Sequence, residues 1–206
     1  MNEKFFKLPE EKQQSIINAG FRVFSQNSYR KSPMSEIADA AGISKSLLFH
    51  YFQNKHELYL FLWDKGGQLT IESMTKAGCY EDGDLFELME RGMRAKIRIM
   101  KIYPDMTSFI IKAFFEKDPE VSADIHKDYR RILNLKAAST LKNLDPEDFV
   151  PGLDLSMMYK EMFMASAGYL WEAVQHEGID ADKLERDFGE MIAFWKSLYC
   201  RKEGDA

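Results

Sequence analysis

The 206-residue chain has only two cysteines and six prolines, and it holds no uninterrupted apolar run near the roughly 18 residues a membrane helix needs. Cys79 and Cys200 stand alone, with no CxxC pair and no zinc-ligand spacing, so two isolated reduced thiols are expected. Strand signals are nearly missing: there is no sustained period-two alternation and no Asn-Gly or Asp-Gly hairpin turn. HExxH, GxSxG, a glycine-rich phosphate loop and a paired Cys/His nucleophile are all absent, which argues against an enzyme and against a bound cofactor. His126 and His176 have no carboxylate or cysteine spacing suited to metal, so no metal site is expected. The opening residues Met1–Lys7 lack the apolar run and cleavage site of a signal peptide, and a cytoplasmic location without membrane contact is the expectation.

What remains is apolar and charged in helical rhythm. Hydrophobic residues make up 45% and charged residues 30%, enough to bury a sizeable core. The net charge is −5, but residues 1–65 carry nine Lys/Arg against seven Asp/Glu, a net of +2, and the remainder is net −7. A mildly basic head on an acidic body suits a head that meets a polyanion. Spacing and caps predict an all-α chain of about nine helices. The first runs from Pro9 to Gln26; the second is short, capped by Ser32 with Pro33 at its first position; the third starts after Ser44 and the fourth after Asn54. The fourth runs toward Gly78 and contains Gly66-Gly67, where close packing or a local bend and a hinge are both open readings. Asp84–Tyr103, Asp105–Lys117 and a segment from Asp118-Pro119 to Leu141 follow; then come a loop over Asn143–Pro151 and the helices Leu153–His176 and Asp180–Cys200.

The segment 32–52 carries the chemistry. Two short helices are joined by Gly42-Ile43-Ser44; small Ala38 permits close approach, Gly42 permits the turn, and Ile37, Ile43, Leu48 and Phe52 fill the space beneath. In a helix-turn-helix the second helix enters the major groove of DNA by its N-terminal residues. Lys45, Ser46 and Leu47 are therefore candidates for base contact, with Ser35 at the groove edge. His50, Tyr51, Asn54 and Lys55, with the N–H groups that open the fourth helix, are candidates for phosphate contact.

Ile37-Ala38, Ala41-Gly42-Ile43-Ser44, Phe49-His50-Tyr51-Phe52 and Lys55-His56-Glu57-Leu58 recur at the spacing of the TetR/AcrR family of bacterial regulators, and Ile16-Ile17, Ala19, Phe24 and Asn27-Ser28-Tyr29 agree as well. The segment Ile16–Leu58 resembles that family, and the rest of the chain resembles it in helix count and order. Ser28 departs from a usual Gly, Pro33 from a usual capping Thr, Leu47 from a frequent Thr and Phe49 from a common Tyr. Leu47 then suggests contact with a thymine methyl, and Phe49 suggests core packing that leaves Tyr51 and His50 as the polar contacts. The resemblance implies a helix-turn-helix domain over 1–54, an effector-binding and dimerisation domain over 55–206, and a repressor that leaves its palindromic double-stranded DNA operator when a small molecule binds.

The body's own pattern agrees with a homodimer. The segment 153–176 is apolar around most of its circumference, with Ala165-Ser166-Ala167-Gly168 allowing close approach, and 180–200 adds Leu184, Phe188, Ile192, Trp195 and Leu198. A pocket is expected among the fourth to eighth helices. Its candidate walls are Tyr103, Met106, Phe109, Ile110, Phe114, Tyr129, Met158, Met162 and Phe163, an apolar and aromatic set that favours an effector of like character.

Overall fold

A computed structural model describes residues 3–176 and 178–201, the side chains of 132–139 excepted. Among them are nine α-helices: α1 (Glu10–Gln26), α2 (Met34–Ala40), α3 (Lys45–Tyr51), α4 (Lys55–Lys76), α5 (Leu85–Met100), α6 (Met106–Phe115), α7 (Ser122–Lys142), α8 (Leu155–His176) and α9 (Ala181–Tyr199). The described residues include no strand beyond an isolated bridge between Phe149 and Cys200.

Most helix starts follow from side-chain acceptors. The Ser44 hydroxyl takes the Leu47 N–H at 3.2 Å, and Asn54 Oδ1 takes the Glu57 N–H at 2.8 Å while Glu57 reaches back to the Gln53 N–H at 2.7 Å. This reciprocal pattern satisfies donors that an unmodified helix end leaves open. Asp84, Asp154 and Asp180 do the same for α5, α8 and α9. The expected Ser32 cap does not form. Pro33 occupies the cap position of α2 without a side-chain bond, and Ser32 is buried with its hydroxyl donating to the Ser28 carbonyl at 3.0 Å. Proline's fixed φ suits the helix entrance, so the serine is left to tie the preceding turn down.

The chain divides into two compact units. The first comprises 1–69 and 99–129. Its core is aromatic: Phe24 meets Tyr59 at 4.8 Å between centroids, Tyr59 meets Phe109 at 5.1 Å and Phe109 meets Phe21 at 5.4 Å. Phe5, from the turn that precedes α1, is fully buried against Phe52 and Phe61. Close helix approach depends on glycine at two points. A Cβ on Gly20 would lie 2.5 Å from Leu62 Cδ1, and one on Gly66 would lie 2.7 Å from Ile110 Cδ1. The second unit comprises 70–98 and 130–206. Leu85, Phe86, Phe149, Met158, Met162, Ile192 and Trp195 form its core.

Of the two adjacent glycines in α4, Gly66 is thus a packing residue held against α6, whereas Gly67 has nothing within 4 Å of where a Cβ would stand. Alanine favours a helix over glycine by about 1 kcal/mol. Gly67→Ala should therefore raise the thermal midpoint, and Gly66→Ala should gain less or lose, because Ile110 must move. Thermal melts of both variants in which Gly66→Ala proved the more stable would contradict this assignment.

Candidate functional site

The helix-turn-helix is built from α2 and α3. Gly42 has φ +68°, a left-handed conformation that costs glycine little and closes α2. The Ile43 N–H then bonds back to the Ala38 carbonyl at 3.0 Å. Beneath the turn, Ile37, Ala38, Leu48 and Phe52 are fully buried. A fixed scaffold of this kind leaves α3 with one outward face.

On that face Lys45, Ser46, Leu47, Phe49 and His50 are exposed. Ser46 shares a 3.0 Å hydroxyl contact with Ser44, and the Lys45 ammonium stands 5.9 Å from the Phe49 ring centroid. Ser35 is half-buried on α2. Phe49 therefore does not pack in the core as expected; it is 40% exposed, while Tyr51 is 7% exposed with its ring 6.0 Å from Phe5. The reason is register: α3 buries Leu48 and Tyr51, three residues apart, and the two positions between them, Phe49 and His50, point outward.

Asn54 and Lys55 are both engaged within the fold. Asn54 caps α4. Lys55 Nζ donates to the Tyr29 carbonyl at 2.9 Å and lies 4.3 Å from the Tyr29 ring centroid. Tyr29 is in turn held by a turn between α6 and α7 that sequence reasoning missed. Its backbone N–H donates to Glu116 at 2.8 Å and its hydroxyl to Glu120 at 2.7 Å, and beside it Arg30 pairs with Asp118 at 3.1 Å. Burial, then the Glu120 carboxylate, pushes the Tyr29 phenol well above its usual value, so it remains a donor. Glu116 also accepts the Lys117 and Asp118 N–H groups at 2.8 and 3.0 Å. Farther along, Trp63 Nε1 donates to Asp128 at 3.0 Å and His56 faces Asp124 at 3.5 Å. Carboxylates on 116–128 thus hold several points between Tyr29 and Trp63.

The nine expected pocket residues fall into separate cores. Met106 and Phe109 are buried in the first unit, where Tyr103, Ile110 and Tyr129 pack against the same cluster, and Phe114 stacks 4.4 Å from Tyr129. Met158 and Met162 belong to the core of the second unit, and Phe163 is half-buried on α8. His126 Nε2 bonds the Phe114 carbonyl at 2.8 Å, and no group of three or more metal-ligating side chains occurs among the described residues. None of the helices is long and apolar enough to cross a membrane among the residues described.

A short, rigid helix presenting its N-terminal face from a buried helix-turn-helix is the head of a DNA-binding regulator. Residues 16–61 match the family of bacterial regulatory proteins, tetR family. The chain is 24% identical over 189 residues to the HTH-type transcriptional regulator RutR of Escherichia coli (strain K12), covering 88% of this chain and 80% of RutR. Among solved structures it is similar to a TetR family transcriptional regulator from Chloroflexus aurantiacus J-10-FL, with TM-score 0.66 and 19% identity over 98% of this chain and 99% of that one. It is likewise similar to FadR from Bacillus subtilis, a transcriptional regulator solved in complex with stearoyl-CoA, with TM-score 0.65 and 19% identity over 86% and 96% of the two chains. The N-terminal segment 16–61 is thus a TetR-family helix-turn-helix, the whole chain shares the fold of TetR family regulators, and these relatives are named as regulators rather than enzymes.

The Glu116 carboxylate takes three backbone N–H groups, and a hydrogen bond to a charged group contributes about 1.5–3 kcal/mol when its loss leaves a buried donor unpaired. Glu116 is half-buried, so Glu116→Ala is expected to cost about 3 kcal/mol in urea unfolding, with Glu116→Gln costing less because one acceptor oxygen remains. An unchanged unfolding midpoint in the alanine variant would show that the turn does not hold the Tyr29 segment.

Proposed function

We propose that this chain is a homodimeric repressor that binds a palindromic double-stranded DNA operator and leaves it when a small apolar or aromatic effector binds. The observation that carries this reading is the exposure of Lys45, Ser46 and Leu47 at the N-terminal end of α3, above a fully buried scaffold. In this reading they contact bases, and Ser35 meets the groove edge. His50, the hydroxyl of Tyr51, Asn54, Lys55 and the first N–H groups of α4 meet phosphates. Residues 1–54 are then the DNA-binding domain and 55–206 the effector-binding and dimerisation domain, in a cytoplasmic protein.

Dimerisation is supported by apolar side chains left in water on α8 and α9. Met157 and Met164 are 58% and 60% exposed, and Phe194 and Leu198 are 60% and 48% exposed. These positions recur at seven- and four-residue intervals, so each pair shares a helix face, and exposed apolar rows of this kind favour an interface. A two-fold dimer would present two copies of α3 at half-sites one DNA turn, about 34 Å, or a multiple apart.

The effector is proposed to bind in the body within one of its two units, beside Tyr103, Met106, Phe109, Ile110, Phe114 and Tyr129 in the first or beside Met158, Met162 and Phe163 in the second. The acyl chain of the stearoyl-CoA bound to FadR is an apolar ligand of the kind expected here. Its signal would reach the head along α4, and through the 116–120 turn that grips Tyr29. The shift in recognition-helix spacing would weaken operator binding by a coupling of about 1–3 kcal/mol.

The test is binding of the purified chain to its own upstream DNA at two salt concentrations. Lys55 and Tyr51 both support the fold, so Lys45→Ala and Ser46→Ala are the cleaner probes. Specific binding should weaken with salt, and Lys45→Ala should lower the salt slope by about one if that ammonium meets a phosphate, or relax sequence preference if it meets a base. Failure of a selection from random DNA to yield any preferred site would overturn the reading. For the dimer, Phe194→Glu should convert the species seen by light scattering from twice the chain mass to the chain mass without lowering helicity. A variant that stays dimeric would move the interface elsewhere.

A further inference from the structure

Phe49 is a large apolar side chain on the outward face of α3, 40% exposed. Single hydrophobic residues on a surface are ordinary, and it is position that sets this one apart. Leu48 and Tyr51 are the side chains that α3 buries. With 3.6 residues per turn, Phe49 lies about 50° from the point opposite those two, against about 90° for Lys45 and about 110° for Leu47. The ring therefore stands nearer the middle of the outward face than either of two residues already assigned to base contact. Leu47, at the border of the same face, is exposed as well.

The chemistry around the ring narrows what can cover it. The Lys45 ammonium stands 5.9 Å from the Phe49 centroid, and the centres of protein–protein interfaces are depleted of lysine. A ring with a cation at its rim is a poor seat for an apolar protein face and a good one for a polyanion. Against DNA, a phenyl group has no donor for a phosphate. Wedging of apolar side chains between base steps belongs to the minor groove, whereas a recognition helix enters the major groove. Of the groups that the base edges present there, the apolar one is the 5-methyl of thymine.

We propose that Phe49 is a specificity-determining residue that covers the 5-methyl group of an operator thymine, beside the bases met by Lys45, Ser46 and Leu47. Phe49 follows Lys45 by four residues, about 6 Å along the helix, so its thymine falls within about two base pairs of the Lys45 contact. The assignment rests on the DNA-binding reading given above and deepens it by naming a base that each half-site must hold.

The experiment is selection of preferred duplexes from random DNA by the full chain. Anisotropy titration of the selected duplex follows, with each thymine in turn replaced by deoxyuridine, which lacks only the 5-methyl group. At one thymine per half-site the replacement should raise the wild-type Kd about fourfold, the effect of one methyl group returned to water. In Phe49→Ala the same replacement should change Kd by less than about 1.5-fold, and Phe49→Leu should retain most of the response. The alanine variant should keep the wild-type thermal midpoint, because the side chain it removes is exposed, and the wild-type salt slope, because Lys45 is untouched. The proposal is overturned if no thymine distinguishes wild type from Phe49→Ala. It is overturned too if the alanine variant loses about one unit of salt slope, which would make the ring a support for Lys45. A halved mass in light scattering would overturn it by placing the ring against a second copy of the chain. Selection that yields no preferred duplex removes the DNA-binding reading and this assignment together. A preferred duplex with no Phe49-dependent methyl response removes this assignment alone.

Discussion

Three carboxylates on a short acidic turn decide where the head of this protein is held. Glu116, Asp118 and Glu120 take the Tyr29 N–H, the Arg30 guanidinium and the Tyr29 hydroxyl, and the Asp118 N–H closes on Glu116. Tyr29 sits between the end of α1 and the start of α2, so fixing it sets the entry angle of the helix-turn-helix. Its carbonyl accepts from Lys55 at 2.9 Å, and Lys55 opens α4. One buried tyrosine therefore joins the end of α1, the helix-turn-helix and the first turn of α4 to the α6–α7 turn. Such a bond is worth more in a desolvated setting than on the surface, and the Tyr29 ring is 2% exposed. The aromatic cluster of Phe24, Tyr59 and Phe109 gives that network its dry floor.

That arrangement changes what Lys55 and Asn54 mean. A basic residue after a recognition helix reads from its type and position as a phosphate contact. Here the ammonium is committed to two backbone carbonyls, those of Tyr29 and Arg30, and Asn54 to a helix cap. Both can still face DNA, since lysine has three donors, but their loss would disturb the fold as well as the interface. Lys45 and Ser46 make exposed contacts within their own helix, to the Phe49 ring and to the Ser44 hydroxyl, which is why they separate binding from folding.

The helix-turn-helix was legible because its signals are local. Gly42, Ser44 and the spacing of Ile37, Ala38 and Leu48 describe a turn and its filling within fifteen residues or so, and the structure places each accordingly. Helix starts were legible to within a residue or two for the same reason: Asp84 and Asp180 are caps a few residues from the groups they satisfy, whereas the Asp154 cap starts α8 at Leu155, two residues after the expected Leu153. What could not be read depends on partners far along the chain. Tyr29 and Glu116 are 87 residues apart, and nothing near Tyr29 announces an acidic partner. Phe5 lies in a stretch without helical period, so its burial under Phe52 and Phe61 carried no signal. The Phe49 and Tyr51 exchange turned on one residue of register in a seven-residue helix. Gly66 and Gly67 looked equivalent until α6 supplied Ile110 against one of them.

Lys96 shows the same limit from another side. Leu85, Met89 and Gly92 precede it on one stripe of α5, and Leu85 and Gly92 are buried, yet Lys96 itself is exposed. Helical spacing therefore assigns a residue to a face without deciding how far the fold covers that face. The charges that do fix the structure are those whose partners the fold brings close: the carboxylates of Glu116, Asp118 and Glu120 meet donors of Tyr29 and Arg30 within the same unit. Charges satisfied internally in this way hold the segment that leads into the helix-turn-helix in place, and their strength comes from the desolvated setting around Tyr29 rather than from the charges alone.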